Sequence, residues 1–132
     1  MDVTLITTEG RARSAEIEVA GHRLTVVDHI SPVGQPSEPG PVANARFEAV
    51  TRELLPAERA LAGSPSGEKE LHHQWGWRYL GRGEIVSLAP VRADLGILIL
   101  ELDQTASESR RIGDMVTIPI DRIILTRTAA RP

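Results

Sequence analysis

Cysteine is absent from this 132-residue chain. Its absence excludes a disulfide framework, a thiolate metal site and a cysteine nucleophile. No apolar run approaches the roughly 18 residues that a membrane helix needs, and the longest, Leu95 to Leu100, has the length of a strand. The first residues also lack the basic start and apolar stretch of a secretory signal. These features predict a cytoplasmic protein with no membrane partner.

Positive charge does not predominate, because 15 Lys and Arg stand against 18 Asp and Glu. The formal net charge is −3, and Lys69 is the one lysine in the chain. A phosphate backbone is bound mainly by Lys and Arg that neutralise it, so the charge disfavours nucleic acid as a partner. The bias toward arginine, with abundant alanine and glycine, suggests a GC-rich bacterial genome.

The length and composition predict one folded domain over 1–132. Hydrophobic residues make up 41% and charged residues 25%, close to globular averages, and two cores would each be small for this chain length. Four prolines and two glycines in residues 31–41 predict a mobile loop. We expect a flexible break at 63–68 between two β-rich halves, and a frayed tail at 128–132.

Most other segments have the pattern of strands. Ala15, Ile17 and Val19 alternate with glutamates, which predicts a hairpin over residues 14–30 with its turn near Gly21. The segment Leu95 to Leu102 is apolar on both faces, as in a central strand. Further strands are expected at 3–8, 71–79, 84–88, 115–120 and 123–127.

A mainly β fold follows, with about seven to eight strands in a single small barrel. The strand count and spacing fit an OB-like or SH3-like barrel, which protects strand edges by closure, but no family-specific motif is present. Residues 42–55 are ambiguous. Ala43, Phe47, Val50 and Leu54 have helical spacing, and the residue propensities favour one short helix there.

The aromatic residues are concentrated in one short segment. Only 3% of the chain is aromatic, yet Trp75, Trp77 and Tyr79 alternate within five residues. In one extended strand their rings would share a face, and with Arg78 and Arg82 they form the candidate ligand-binding set. Exposed rings would stack bases or sugars or anchor a protein partner. Buried rings would fill a core that has few other bulky residues, and we expect at least one tryptophan to point inward.

Histidines give a weaker candidate site. His22, His29 and His73 could approach one another across a barrel and, with nearby Asp, hold a metal. The sequence has no HxH or HExxH spacing and no nucleophile elbow. We therefore expect no cofactor and no catalytic residue, and an enzyme with a His/Asp metal site is the least favoured function.

The function that the sequence predicts is a non-catalytic binding module. Its expected partner is another protein or a second copy of the chain in a homo-oligomer. The alternative is an OB-like module that stacks single-stranded nucleic acid or a glycan on Trp75, Trp77 and Tyr79.

Overall fold

Every regular element in the described part of the chain is a β-strand. The computed structural model describes residues 2–51, 55–56, 69–102 and 111–128, and it has no helix in those ranges. The strands are β1 (Val3–Thr8), β2 (Ser14–Val19), β3 (His22–Asp28), β4 (Gly40–Val42), β5 (Ala45–Thr51), β6 (Leu55–Pro56), β7 (Glu70–Trp75), β8 (Arg78–Leu88), β9 (Val91–Asp94), β10 (Ile99–Leu102) and β11 (Met115–Arg127).

Five of these strands close into a barrel. They follow the order β11, β5, β10, β9 and β8, and β8 pairs again with β11. Four of the contacts are antiparallel, and β10 runs parallel to β5. The prediction of a mainly β fold with a small barrel is therefore confirmed, with eleven described strands rather than seven or eight.

The long strand β11 closes the barrel by changing partner along its length. Residues up to Ile120 pair with β8, and residues from Arg122 onward pair with β5. Pro119 lies just before this change, where a missing N–H donor is tolerated. β11 therefore lies between β8 and β5 and closes the barrel.

The remaining strands extend the sheet away from the barrel. β3 pairs with β11 through Val27 and Asp28, and β2, β1 and β4 follow in turn. The predicted 14–30 hairpin is confirmed, because β2 and β3 pair antiparallel. The pairing runs from Ser14 opposite Val27 to Val19 opposite His22. Its two-residue turn, Ala20 and Gly21, has φ of 50° and 79°, as a type I′ turn requires.

The helix predicted within 42–55 is wrong. Residues Ala45–Thr51 form β5, with Phe47, Ala49 and Thr51 buried on one face. The apolar residues there fit both a helical and an alternating spacing. Pairing on both sides, with β10 and with β11, favours the strand because it satisfies the backbone of a central position. Residues 52–54 lie outside the described ranges.

The strand predicted over 95–102 is half as long in the structure. Residues 95–98 form a turn in which Leu95 N donates to Leu98 O at 2.9 Å, and β10 begins at Ile99. Leu95 and Leu98 are nevertheless buried in the core. The apolar run therefore predicted burial correctly for its leucines, but it was wrong for Ile99, which is 44% exposed.

A buried carboxylate fixes the segment that follows β3. Asp28 is fully buried and accepts hydrogen bonds from Thr8 Oγ1 at 2.5 Å and from Ser31 Oγ at 2.6 Å. The backbone N–H groups of Ile30 and Ser31 donate to its other oxygen at 2.8 and 2.9 Å. Ser31 Oγ in turn accepts from the N–H of Ser37 at 3.0 Å. The start of the proline-rich segment is thus tied to β1 and β3.

The two ends of the predicted 31–41 loop differ. Residues 29–39 contain turns and bends with no strand, whereas Gly40 and Pro41 belong to β4 and pair with β1. The loop's mobility stays a prediction. The break at 63–68 and residues 129–132 of the tail lie outside the described ranges.

The Asp28 carboxyl makes stability depend on acid pH. Burial by itself raises its pKa, but the hydrogen bonds from Ser31, Thr8 and the two backbone N–H groups outweigh burial, and the pKa lies below the ordinary 3.8. A depressed pKa contributes stability above the unfolded pKa, and that contribution is lost as pH falls through the folded value. We expect the unfolding free-energy difference between wild type and Asp28→Asn to be constant near neutrality and to shrink below pH 3.8. Urea titrations over that range measure it, and a difference independent of pH would contradict it.

Candidate interaction surface

The aromatic segment is a hairpin, not one strand. β7 ends at Trp75, β8 begins at Arg78, and Gly76 and Trp77 form the turn between them. Gly76 has φ +55°, a conformation that glycine adopts without strain. The predicted strand over 71–79 is therefore wrong, because the chain reverses where that strand required it to continue. The three rings consequently do not share one face.

Trp75 is the exposed ring of the three. It is 65% exposed, and the Arg78 guanidinium lies over its indole at 4.8 Å from the ring centroid. Arg78 is the residue directly opposite Trp75 across the hairpin. A cation over an indole face is attractive by about 0.5–1 kcal/mol at an exposed site. The pair forms an ordered, solvent-facing platform.

His73 contacts both the turn of this hairpin and the ring of Tyr79. Its Nε2 lies 2.8 Å from the carbonyl oxygen of Gly76, which can only accept, so Nε2 carries the proton. Its ring also packs against the ring of Tyr79, with centroids 5.0 Å apart. We call residues 73–78 the hairpin tip.

The other two rings anchor the hairpin to the rest of the sheet. Trp77 is half-buried, and its indole N–H donates to Ser14 Oγ on β2 at 2.9 Å. Tyr79 is buried, and its hydroxyl accepts from the backbone N–H of Thr25 on β3 at 2.8 Å. The hairpin is therefore attached to β2 through its turn residue Trp77 and to β3 through Tyr79, while Trp75 remains exposed.

Removing the Tyr79 hydroxyl should destabilise the protein through β3. In Tyr79→Phe the Thr25 N–H loses its partner beside a buried ring, and an unsatisfied buried donor costs about 1–3 kcal/mol. Urea unfolding should show a loss in that range with an unchanged m-value. An unchanged midpoint would mean that this bond contributes nothing.

Arg82 is not part of the exposed surface. It is 1% exposed on β8, between Gly81 and Gly83, which are also buried. A Cβ on Gly83 would lie 2.8 Å from the backbone oxygen of Asp94. The glycines of the Gly81-Arg82-Gly83 sequence thus lie where the barrel strands leave little room for a side chain. Of the predicted binding residues, Trp75 and Arg78 are together at the surface, whereas Tyr79 and Arg82 are buried.

The candidate metal-site histidines are not brought together. His22 and His29 lie at opposite ends of β3, on the order of 20 Å apart at a strand's rise, and His73 is on the hairpin tip. Among the described residues, no three His, Asp or Glu side chains are arranged to hold a metal. His72, next to His73, contacts the carboxylate of Glu70 instead.

No family model, no curated protein and no solved structure matches the chain. The described residues also contain no helix with the length and apolar character to cross a membrane.

Sequence reasoning missed the anchor formed by Asp28, Thr8 and Ser31. A signal for part of it exists, since an Asp followed within three residues by Ser and then proline is typical of an Asx-type turn. The contribution of Thr8, twenty residues earlier, has no local signal.

Proposed function

We propose that this protein is a non-catalytic binding module that contacts another protein chain through the hairpin tip. The observation that carries the proposal is Trp75, a 65% exposed indole ordered by Arg78. Trp and Arg are the side chains most enriched among residues that dominate interface energetics. The arginine-rich composition suggests a bacterial source, and the cytoplasm remains the expected location.

The way the tip is held supports a role in binding. A flexible exposed tryptophan would lose entropy on being ordered by a partner, whereas one already held loses little. Here Trp77 in the turn bonds β2, Tyr79 bonds β3, and His73 contacts the carbonyl oxygen of Gly76. The backbone that carries Trp75 is thus held against two other strands.

A protein partner fits better than a single-stranded nucleic acid. Stacking on successive bases uses several aromatic faces along one groove, but Trp75 is one ring, while Tyr79 is buried. The net charge of −3 also opposes a polyanion. A single indole beside an arginine is better suited to a pocket on a partner protein.

Site-specific cross-linking tests the proposal. A photoreactive phenylalanine analogue replaces exposed Gln74 on the tip or, as a matched control, exposed Arg122 on β11, outside the tip. After irradiation in cells, adducts are identified by mass spectrometry. We expect an adduct from position 74 that Trp75→Ser abolishes and that position 122 does not give.

The mass of the adduct distinguishes the partners. A product at twice the 14.4 kDa chain mass indicates a second copy, and any other protein adduct indicates a different partner. A position-74 adduct that persists in Trp75→Ser, or no adduct at all, would refute the tip as the contact surface.

A further inference from the structure

A groove separate from the hairpin tip lies between two loops. One wall is the β1–β2 turn, residues 9–13, and the other is formed by residues 33–36 of the proline-rich segment. The cavity between them has a volume of about 470 Å³. Nothing in the barrel core requires this arrangement, because neither loop contributes to the buried apolar cluster.

The walls of the groove are already held in place. The Arg11 guanidinium donates to the backbone oxygens of His29 and Ser31, each at 3.3 Å. Beneath it, the buried Asp28 carboxylate ties Ser31 to Thr8, and Gly10 N donates to Thr8 Oγ1 at 3.0 Å. Burying a carboxylate is costly unless it is hydrogen-bonded. The hydrogen-bonded Asp28 carboxylate thus holds the two surface loops that form the groove.

The lining combines positive charge with exposed apolar surface. Arg11 and Arg13 line the groove with one acid, Glu9, so the groove is locally positive in an acidic protein. Arg13 is exposed, and no described side chain pairs with it. Val33, on the facing wall, is 88% exposed, the most exposed large hydrophobic among the described residues.

We propose that this groove binds an extended acidic peptide segment of a partner protein. Carboxylates of the peptide pair with Arg13 and with the outer edge of Arg11, and an apolar side chain packs on Val33 and Pro36. Charge complementarity selects the acidic peptide. A polynucleotide is disfavoured because the lining offers no aromatic ring on which bases could stack.

The position of the groove relates it to the hairpin tip. Arg13 precedes Ser14, and Ser14 Oγ accepts the indole N–H of Trp77. A partner bound at the tip therefore has the groove's Arg13 side close by, although the groove proposal does not depend on the tip. The two sites are tested by different variants.

Fluorescence anisotropy with a defined probe tests the groove. The probe is a short fluorescein-labelled peptide that alternates glutamate with leucine, titrated with the full chain at low salt. We expect saturable binding that weakens with salt and falls about tenfold, or 1.4 kcal/mol, in Arg13→Glu. Val33→Asp should weaken it as well, by placing a like charge beside the peptide.

Controls separate this result from misfolding and from general charge effects. Arg13 and Val33 are exposed, so both variants should keep the wild-type urea midpoint. Arg122→Glu, an exposed reversal on β11, should leave binding unchanged, and so should Trp75→Ser. Equal binding of a peptide with lysine in place of glutamate, or no effect of Arg13→Glu, would overturn the proposal. Tighter binding of labelled oligothymidylate would replace it with a nucleic-acid site.

Discussion

Replacing Asp28 with alanine should lower the free energy of unfolding by about 3 kcal/mol. The carboxylate accepts four hydrogen bonds, two from hydroxyls and two from backbone N–H groups. Each buried donor that loses its partner costs about 1–3 kcal/mol, and reorientation of the hydroxyls recovers part of the sum. Urea unfolding followed by tryptophan fluorescence measures the loss.

Asp114→Ala is the matched control for Asp28→Ala. From the described residues, the Asp114 carboxylate accepts one exposed hydrogen bond, from Arg111 N at 3.0 Å, so its removal should cost about 1 kcal/mol or less. Amide hydrogen exchange should also quicken at Ser31 and Ser37 in Asp28→Ala alone, because the loop is released. Equal losses in the two variants would show that Asp28 is not the anchor described above.

Gly83→Ala should destabilise the protein by about 3 kcal/mol through overpacking. The new Cβ would lie 2.8 Å from both Asp94 O and the Leu95 Cδ2 atom. The backbone at Asp94 cannot move away easily, because Asp94 pairs with Glu84 on β8 and with Ile99 on β10. Thermal or urea unfolding measures this loss.

Gly81→Ala provides the comparison within the same strand. There the nearest atom to a Cβ is the end of the Leu95 side chain at 3.1 Å, and a side chain yields more readily than backbone. We expect a loss of about 1 kcal/mol. A Gly83→Ala variant as stable as Gly81→Ala would argue against the close approach of β8 to the end of β9.

The parts of the fold that depend on local pattern were predictable. The 14–30 hairpin combines alternating Ala15, Ile17 and Val19 with a turn at Gly21, and both signals lie within a few residues of their partners. For β5 the local signals were balanced, and pairing with β10 and β11, far along the chain, decides between helix and strand. Tertiary context overrides propensity in such segments.

At the candidate site, too, the local sequence pattern was not enough to predict how the aromatic residues are arranged. Alternation of Trp75, Trp77 and Tyr79 suggested one face, but a glycine inside a strand pattern also indicates a bulge or turn, and Gly76 is that turn. Which ring is buried depends on Ser14 and Thr25, more than fifty residues earlier. No local pattern carries that information.

Quenching of the two single-tryptophan variants by acrylamide tests the central claim that Trp75 is the presented ring and Trp77 the anchor. Trp77→Phe leaves Trp75 as the reporter, and Trp75→Phe leaves Trp77. We expect Trp75 to emit at longer wavelength and to be quenched several-fold more strongly than Trp77. Equal quenching, or a Trp75 that is blue-shifted and protected, would contradict the hairpin tip as the contact surface.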